Sequence, residues 1–186
     1  IFLLHGYGSN EEDLYSLKEF FPSNYITISL RAPISVGLNS YAWYSINFEN
    51  SIDRWIDTDE AISAKNIIIN DILLHLKDLD FTSERVSLLG FSQGAILSWS
   101  IGIEYPNLIK NILPLSGFYH SEITKNNLNH KFRLNSFSSH GINDQVIPVD
   151  WARRGIQSLS KYNVNIEFKE YESGHEINNE NLRDVI

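Results

Sequence analysis

Val86-Ser87-Leu88-Leu89-Gly90-Phe91-Ser92-Gln93-Gly94-Ala95 opens a stretch that stays largely apolar to Tyr105 and stops at Pro106. Val86 to Leu89 has the continuous apolar character of a short strand buried on both faces, and Gln93 to about Tyr105 has that of a helix. Between them lies one sharp turn, with glycines two residues before and two after Ser92. A strand running straight into a helix is the unit from which parallel sheets are built.

Outward from this unit the alternation repeats. Ile1-Phe2-Leu3-Leu4 is an apolar run stopped by His5-Gly6, and Ser9-Asn10-Glu11-Glu12 has the spacing of a capping box for a helix to about Phe20. Tyr25 to Leu30 reads as a strand. Residues 34 to 56 are aromatic, polar and aperiodic, which predicts a long excursion with at most short strands. Asp57 and Glu60 cap a helix with apolar residues at 62, 68, 69, 72, 73, 76 and 79. Ile109 to Leu115 and Phe132 to Ser138 read as strands, and Pro148 starts a helix to Lys161. A strand over Asn165 to Tyr171 and a last helix from near Glu176 complete the pattern. The expected class is α/β: a single domain over residues 1–186 with a mostly parallel central sheet and helices on both faces.

The composition agrees. With 186 residues, 42% apolar and 20% charged, the chain can bury about 70% of its unfolded surface, which excludes disorder. Fifteen basic against 23 acidic residues leave a net charge of -8, so a nucleic-acid backbone is not an expected partner. No Cys is present, which excludes disulfides, thiolate metal sites and a Cys nucleophile. No apolar run approaches the ~20 residues of a membrane span. The chain opens in mid-strand and contains no Met, so the expectation is that residues are missing in front of Ile1.

Ligands of such sheets bind beyond the C-terminal ends of the strands. Four segments fall there: Leu4 to Gly8, Gly90 to Gly94, His140 to Asp144, and Gly174-His175. Gly-x-Ser-x-Gly is the spacing of a nucleophile elbow, in which small residues allow the backbones to close up and expose the Ser hydroxyl. Alone it is weak, occurring by chance in about one chain in fifteen of such composition, and Ser92 also reads as a helix cap. The preceding strand and following helix favour the elbow.

A Ser nucleophile needs a base. Where the chain order is Ser, acid, His, the candidate is His175, in Ser173-Gly174-His175-Glu176; His5 and His75 precede Ser92, and His120 and His130 flank a polar connection. For the acid, Asp144 lies in a turn just past a strand, whereas Asp150 is explained by the first turn of a helix, and Glu167, Glu170 and Glu172 belong to the last strand or its end. The N–H groups of Gln93 and Tyr7 are the candidate oxyanion donors, the second in a His5-Gly6-Tyr7-Gly8 element of esterase type. As a dinucleotide fingerprint that element fails, with Glu11 where Gly is needed and Arg31 where an acid is needed. The six His lack His-Glu-x-x-His spacing, so no metal site is expected.

LHGYGSN, LRAP, GFSQGA, SHGxxDxVIP and SGHE, in this order from Leu4 to His175, resemble the phospholipase/carboxylesterase family of α/β-hydrolases, to which acyl-protein thioesterases belong. The resemblance implies an α/β-hydrolase fold, a Ser92–Asp144–His175 triad with Tyr7 and Gln93 as oxyanion donors, and no cofactor. It implies hydrolysis of a small-molecule carboxylic ester or thioester. A non-catalytic binding module and a serine peptidase are the alternatives. Trp43 matches a family aromatic near the site mouth, though it also reads as core; Trp43 and Phe118 are the candidate substrate-binding residues. One or two strands before Ile1 and a longer final helix are usual in the family. A cytoplasmic location and a homodimer complete the expectations.

Overall fold

In the computed structural model, residues 1–47, 55–80, 86–125, 134–160 and 164–186 are described. Part of the 34–56 excursion, His130, the start of the strand expected at Phe132, and the end of the helix expected to reach Lys161 lie outside these residues.

Six parallel strands form the sheet: β1 (Phe2–Leu4), β2 (Ile28–Leu30), β5 (Ser87–Phe91), β6 (Asn111–Leu115), β7 (Asn135–Gly141) and β8 (Asn165–Tyr171). Their spatial order is β2-β1-β5-β6-β7-β8. A separate antiparallel hairpin is made by β3 (Ile34–Gly37) and β4 (Ser40–Ala42) within the excursion, where the sequence allowed short strands.

Helices cover both faces, as expected. They are α1 (Glu11–Tyr15), α2 (Thr58–Asp78), α3 (Gln93–Glu104), α4 (Val149–Leu159) and α5 (Asn179–Val185). The period of two along a strand sorts the apolar side chains between two cores. Phe2, Leu4, Leu88 and Ile112 face one side with Ile68, Ile72, Ile96, Trp99 and Leu159 of α2, α3 and α4. Leu3, Leu89 and Leu115 face the other, with Leu14 of α1 and Val185 of α5.

Several boundaries differ from expectation: β6 starts at Asn111 rather than Ile109, and β7 runs past Ser138 to Gly141. The first helix is α-helical only to Tyr15 and continues as a 3-10 turn over Ser16–Phe20; its cap is Asn10, whose side chain accepts the Glu12 N–H at 2.8 Å. The strand expected from Tyr25 starts at Ile28, and Tyr25 and Ile26 are exposed. The last helix begins at Asn179 rather than near Glu176, because Asn178 caps it by accepting the Asn181 N–H at 2.8 Å. In α2 the Asp57 cap holds as expected, accepting the Glu60 N–H at 3.0 Å, but Leu73 and Leu79 are exposed.

At the strand starts, a polar ladder crosses four neighbours. Asn165 Nδ2 donates to Asn135 Oδ1 at 3.2 Å, Asn135 Nδ2 to Asn111 Oδ1 at 3.3 Å, and Asn111 Nδ2 to the Ser87 hydroxyl at 3.1 Å. These residues are register partners in the sheet.

Because β1 leads to β2 on one side while β5 lies on the other, the strand order reverses between β1 and β5. Such a reversal opens a crevice beyond the carboxyl ends of the two strands. The segment after β6 is fastened to α2 and α3 by a buried cation. Lys65 of α2, 1% exposed, donates to Glu104, to Ser100 Oγ at 3.3 Å and to the Ile123 carbonyl at 2.5 Å. Removing one partner of such a pair strands the other charge. Lys65→Met should therefore cost about 3–5 kcal/mol in urea unfolding, and adding Glu104→Leu should recover most of it; equal losses in the single and double variants would contradict this.

Candidate active site

At the end of β5 the chain must turn into α3 with almost no room. A Cβ on Gly94 would stand 1.9 Å from the Leu4 carbonyl oxygen, and one on Gly90 would stand 2.2 Å from the Gly94 oxygen. Both glycines are therefore steric requirements. Between them Ser92 adopts φ 54° and ψ -115°, a conformation that costs a non-glycine residue about 1–3 kcal/mol. The turn is held because the Ser92 N–H donates to the Leu115 carbonyl at 3.0 Å, while the Ser92 carbonyl accepts from Ala95 at 3.0 Å and Ile96 at 3.1 Å. Ser92 is thus the strained residue of a strand–turn–helix, 5% exposed.

The loops after β7 and β8 bring two further groups to it. His175 Nε2 is 3.0 Å from Ser92 Oγ, and His175 Nδ1 is 2.7 Å from Asp144 Oδ2. A carboxylate only accepts, so Nδ1 carries the proton and Nε2 is left to accept from the serine hydroxyl. The two loops are stitched by backbone bonds, Ile142 N–H to the Tyr171 carbonyl at 2.9 Å and Asn143 N–H to Ser173 at 3.0 Å. Gly141 makes this approach possible, since a Cβ there would lie 2.2 Å from the Gly174 oxygen. The Phe91 ring lies 4.9 Å from that of His175.

Asp144 has no exposed side-chain surface. Its Oδ1 accepts the N–H groups of Val146 at 2.8 Å and Ile147 at 2.9 Å. Burial pushes its carboxyl up, but the hydrogen bonds from His140, His175 and the Ile147 amide outweigh that and hold it well below the usual carboxylate range. Asp150, by contrast, is on exposed α4 surface paired with Arg153 at 2.8 Å.

The loop after β1 lies against the elbow. A Cβ on Gly6 would be 3.2 Å from both Phe91 Cδ1 and Ser92 Cβ, and Gly8 has φ 75°. Tyr7, between them, therefore sits beside Ser92, while Gln93 begins α3, where the first amides have no intrahelical acceptor. His5 locks the loop from within: its Nδ1 donates to the Gly6 carbonyl at 2.8 Å, and its Nε2 accepts the Ala32 N–H at 3.1 Å. Burial lowers the His5 pKa, which suits a ring that must keep one nitrogen free to accept.

Two roles were not visible in the sequence. The Gln93 side chain is a clamp, accepting the Trp43 N–H at 3.0 Å and donating to the Tyr44 carbonyl at 2.7 Å. Trp43 Nε1 in turn donates to the His5 carbonyl at 2.8 Å. Trp43 and Phe118 are each 1% exposed. Trp43 packs on His5, and Phe118 packs between Trp55 and Trp151, so both stand in the core behind the site. His120, left without a placement by sequence, caps a short 3-10 turn. Among the described residues no group of three or more His, Asp or Glu could hold a metal ion, and no helix is long and apolar enough to cross a membrane.

The family model for phospholipase/carboxylesterase matches residues 1–186. Acyl-protein thioesterase 1 of Kluyveromyces lactis is 26% identical over 166 residues, covering 85% of this chain and 72% of the relative. A probable carboxylesterase, SOBER1-like, of Arabidopsis thaliana is 32% identical over 103 residues, 54% of this chain but only 39% of that protein. Among solved structures, esterase PE8 superposes with a TM-score of 0.82 at 22% identity, over 99% of this chain and 87% of that one. The Bacillus cereus carboxylesterase gives 0.82 at 19% identity, over 99% and 84%. Both structures bear on the fold.

The hydrogen bonds to Asp144 link stability to pH. In the unfolded chain its carboxyl takes up a proton near pH ~4, whereas in the folded protein it stays ionised to well below that. In that interval the unfolded state binds more protons, so the contribution of Asp144 is full above about pH 4 and shrinks as the pH falls. The gap between the urea midpoints of the wild type and Asp144→Asn should therefore be steady above about pH 5 and narrow progressively as the pH falls below about 4. A gap that stays constant would contradict this.

Proposed function

The chain belongs to the phospholipase/carboxylesterase family, and from that premise we propose that it hydrolyses small-molecule carboxylic esters or thioesters through an acyl-enzyme on Ser92. The observation that carries the proposal is the line of contacts from Ser92 Oγ to His175 Nε2 at 3.0 Å and from His175 Nδ1 to Asp144 Oδ2 at 2.7 Å. A serine hydroxyl is a poor nucleophile until a base takes its proton, and this ring has its accepting nitrogen on the hydroxyl.

In the first half-reaction Ser92 Oγ bonds to the substrate carbonyl carbon as its proton moves to His175 Nε2. Asp144 holds the ring and offsets the charge of the imidazolium. The carbonyl oxygen becomes an oxyanion beside the Tyr7 and Gln93 amides, which favour it because charge develops there only in the transition state. The bond from carbon to the leaving oxygen or sulfur then breaks, and His175 Nε2 gives its proton to the departing alcohol or thiol. In the second half-reaction water attacks the acyl carbon, its proton passes to His175, and the acid leaves as the proton returns to Ser92 Oγ.

The placement of Trp43, Tyr44 and Phe118 in the core favours a short acyl group, because these aromatics fill space behind the site. Acetyl and butyryl esters should be turned over faster than decanoyl and longer ones. A profile that rises with acyl length would refute that part.

The decisive experiment is labelling with an alkyl fluorophosphonate, read by intact mass. One adduct on the wild type and none on Ser92→Ala should appear, with kcat falling by about four or more orders of magnitude in the variant. A folded wild type that takes no adduct would sink the acyl-enzyme and bring the ligand-binding module forward. Cleavage of peptides in preference to esters would support the peptidase alternative instead.

A further inference from the structure

The acid of the site touches a second imidazole. His140, at the end of β7 and 1% exposed, places Nε2 3.2 Å from Asp144 Oδ2 and 2.7 Å from the Ile147 carbonyl oxygen. A carbonyl only accepts, so Nε2 carries the ring proton. His140 Nδ1 is buried and has no hydrogen-bond partner among the described residues. The ring thus presents a single N–H, donated to the Ile147 carbonyl, and the same nitrogen lies 3.2 Å from the carboxylate oxygen that also receives His175.

The consequence for Asp144 is geometric. A carboxylate turns easily about its last torsion. Here Oδ1 is held by the Val146 and Ile147 amides, and Oδ2 would be steered by His175 alone if His140 were absent. His140 spans the turn from its first residue to its last, its one N–H bound to the Ile147 carbonyl and its Nε2 packed 3.2 Å from Oδ2. We propose that His140 is a positioning residue of the reaction: through Asp144 it keeps the His175 ring aligned with Ser92 Oγ. This rests on the acyl-transfer reading of Ser92, Asp144 and His175.

Glutamine carries an amide nitrogen at nearly the reach of the imidazole Nε2, while the amide nitrogen of asparagine falls short of it. His140→Gln, His140→Asn and His140→Leu should therefore separate by reach rather than by polarity. In His140→Leu and His140→Asn, kcat per serine titrated by fluorophosphonate should fall about tenfold or more with KM little changed. The second-order labelling rate of Ser92 should fall alongside, and His140→Gln should recover most of both. The downfield proton resonance of the His175–Asp144 hydrogen bond, which does not depend on turnover, should weaken in the first two and return in His140→Gln.

Wild-type kcat per titrated serine in His140→Leu or His140→Asn would overturn the proposal. So would losses that follow thermal stability across all three variants, with no recovery in His140→Gln. If the wild type itself takes no adduct at Ser92, the acyl-transfer reading fails, and the role of His140 fails with it. Normal wild-type labelling with indifferent His140 variants overturns the positioning role alone.

Discussion

The approach of α3 to β1 at Gly94 is the constraint on which the site depends. With less than 2 Å between the place of a Cβ and the Leu4 oxygen, no side chain larger than hydrogen fits without separating the helix from the sheet. Contact at that distance brings the start of α3 to the end of β1, where the strand order reverses. It also sets the serine turn against the loop of His5, Gly6 and Tyr7. The strain at Ser92 is held by the burial of α3, whose residues from Gln93 to Ile103 are all buried.

Around that contact, most of the polar groups near the site have structural duties that also aim a neighbour. Gln93 follows the serine at the start of α3 while its side chain holds Trp43 and Tyr44. Trp43 closes back on His5, and His5 fixes the carbonyl of Gly6 and thereby the peptide that precedes Tyr7. A small substitution in this circuit would displace several partners together, since each residue in it is bound to the next.

What could be read in the sequence was whatever is local. Apolar runs gave away β1, β5 and β6, the first two with a glycine close behind, and Asp57 with Glu60 announced the start of α2. The alignment of Ser92, Asp144 and His175 followed from motif order, because each sits in a loop next to a strand end. Less legible was whatever depends on contacts far apart in the chain. Nothing in Trp43 or Phe118 says whether an aromatic faces a cleft or fills a core, and both are buried. The helix ends went astray for a smaller reason: Asn10 and Asn178 compete with neighbouring residues for the same role, and only the backbone path selects between them. His140 was part of a quoted motif, yet its ring could be aimed at Asp144 only once the turn was folded.

The asparagine ladder at the far end of the sheet has a further meaning. It acts as a datum line from which the working loops are measured, because a strand is nearly inextensible at about 3.3 Å per residue. With Ser87, Asn111, Asn135 and Asn165 level across the sheet, the heights of the serine turn, the acid turn and the histidine loop follow from residue count alone. One residue inserted into β7 or β8 would shift its loop by a full step, beyond the tolerance of a hydrogen bond. Strand length is therefore part of the site's specification, as binding as the identity of the side chains it delivers.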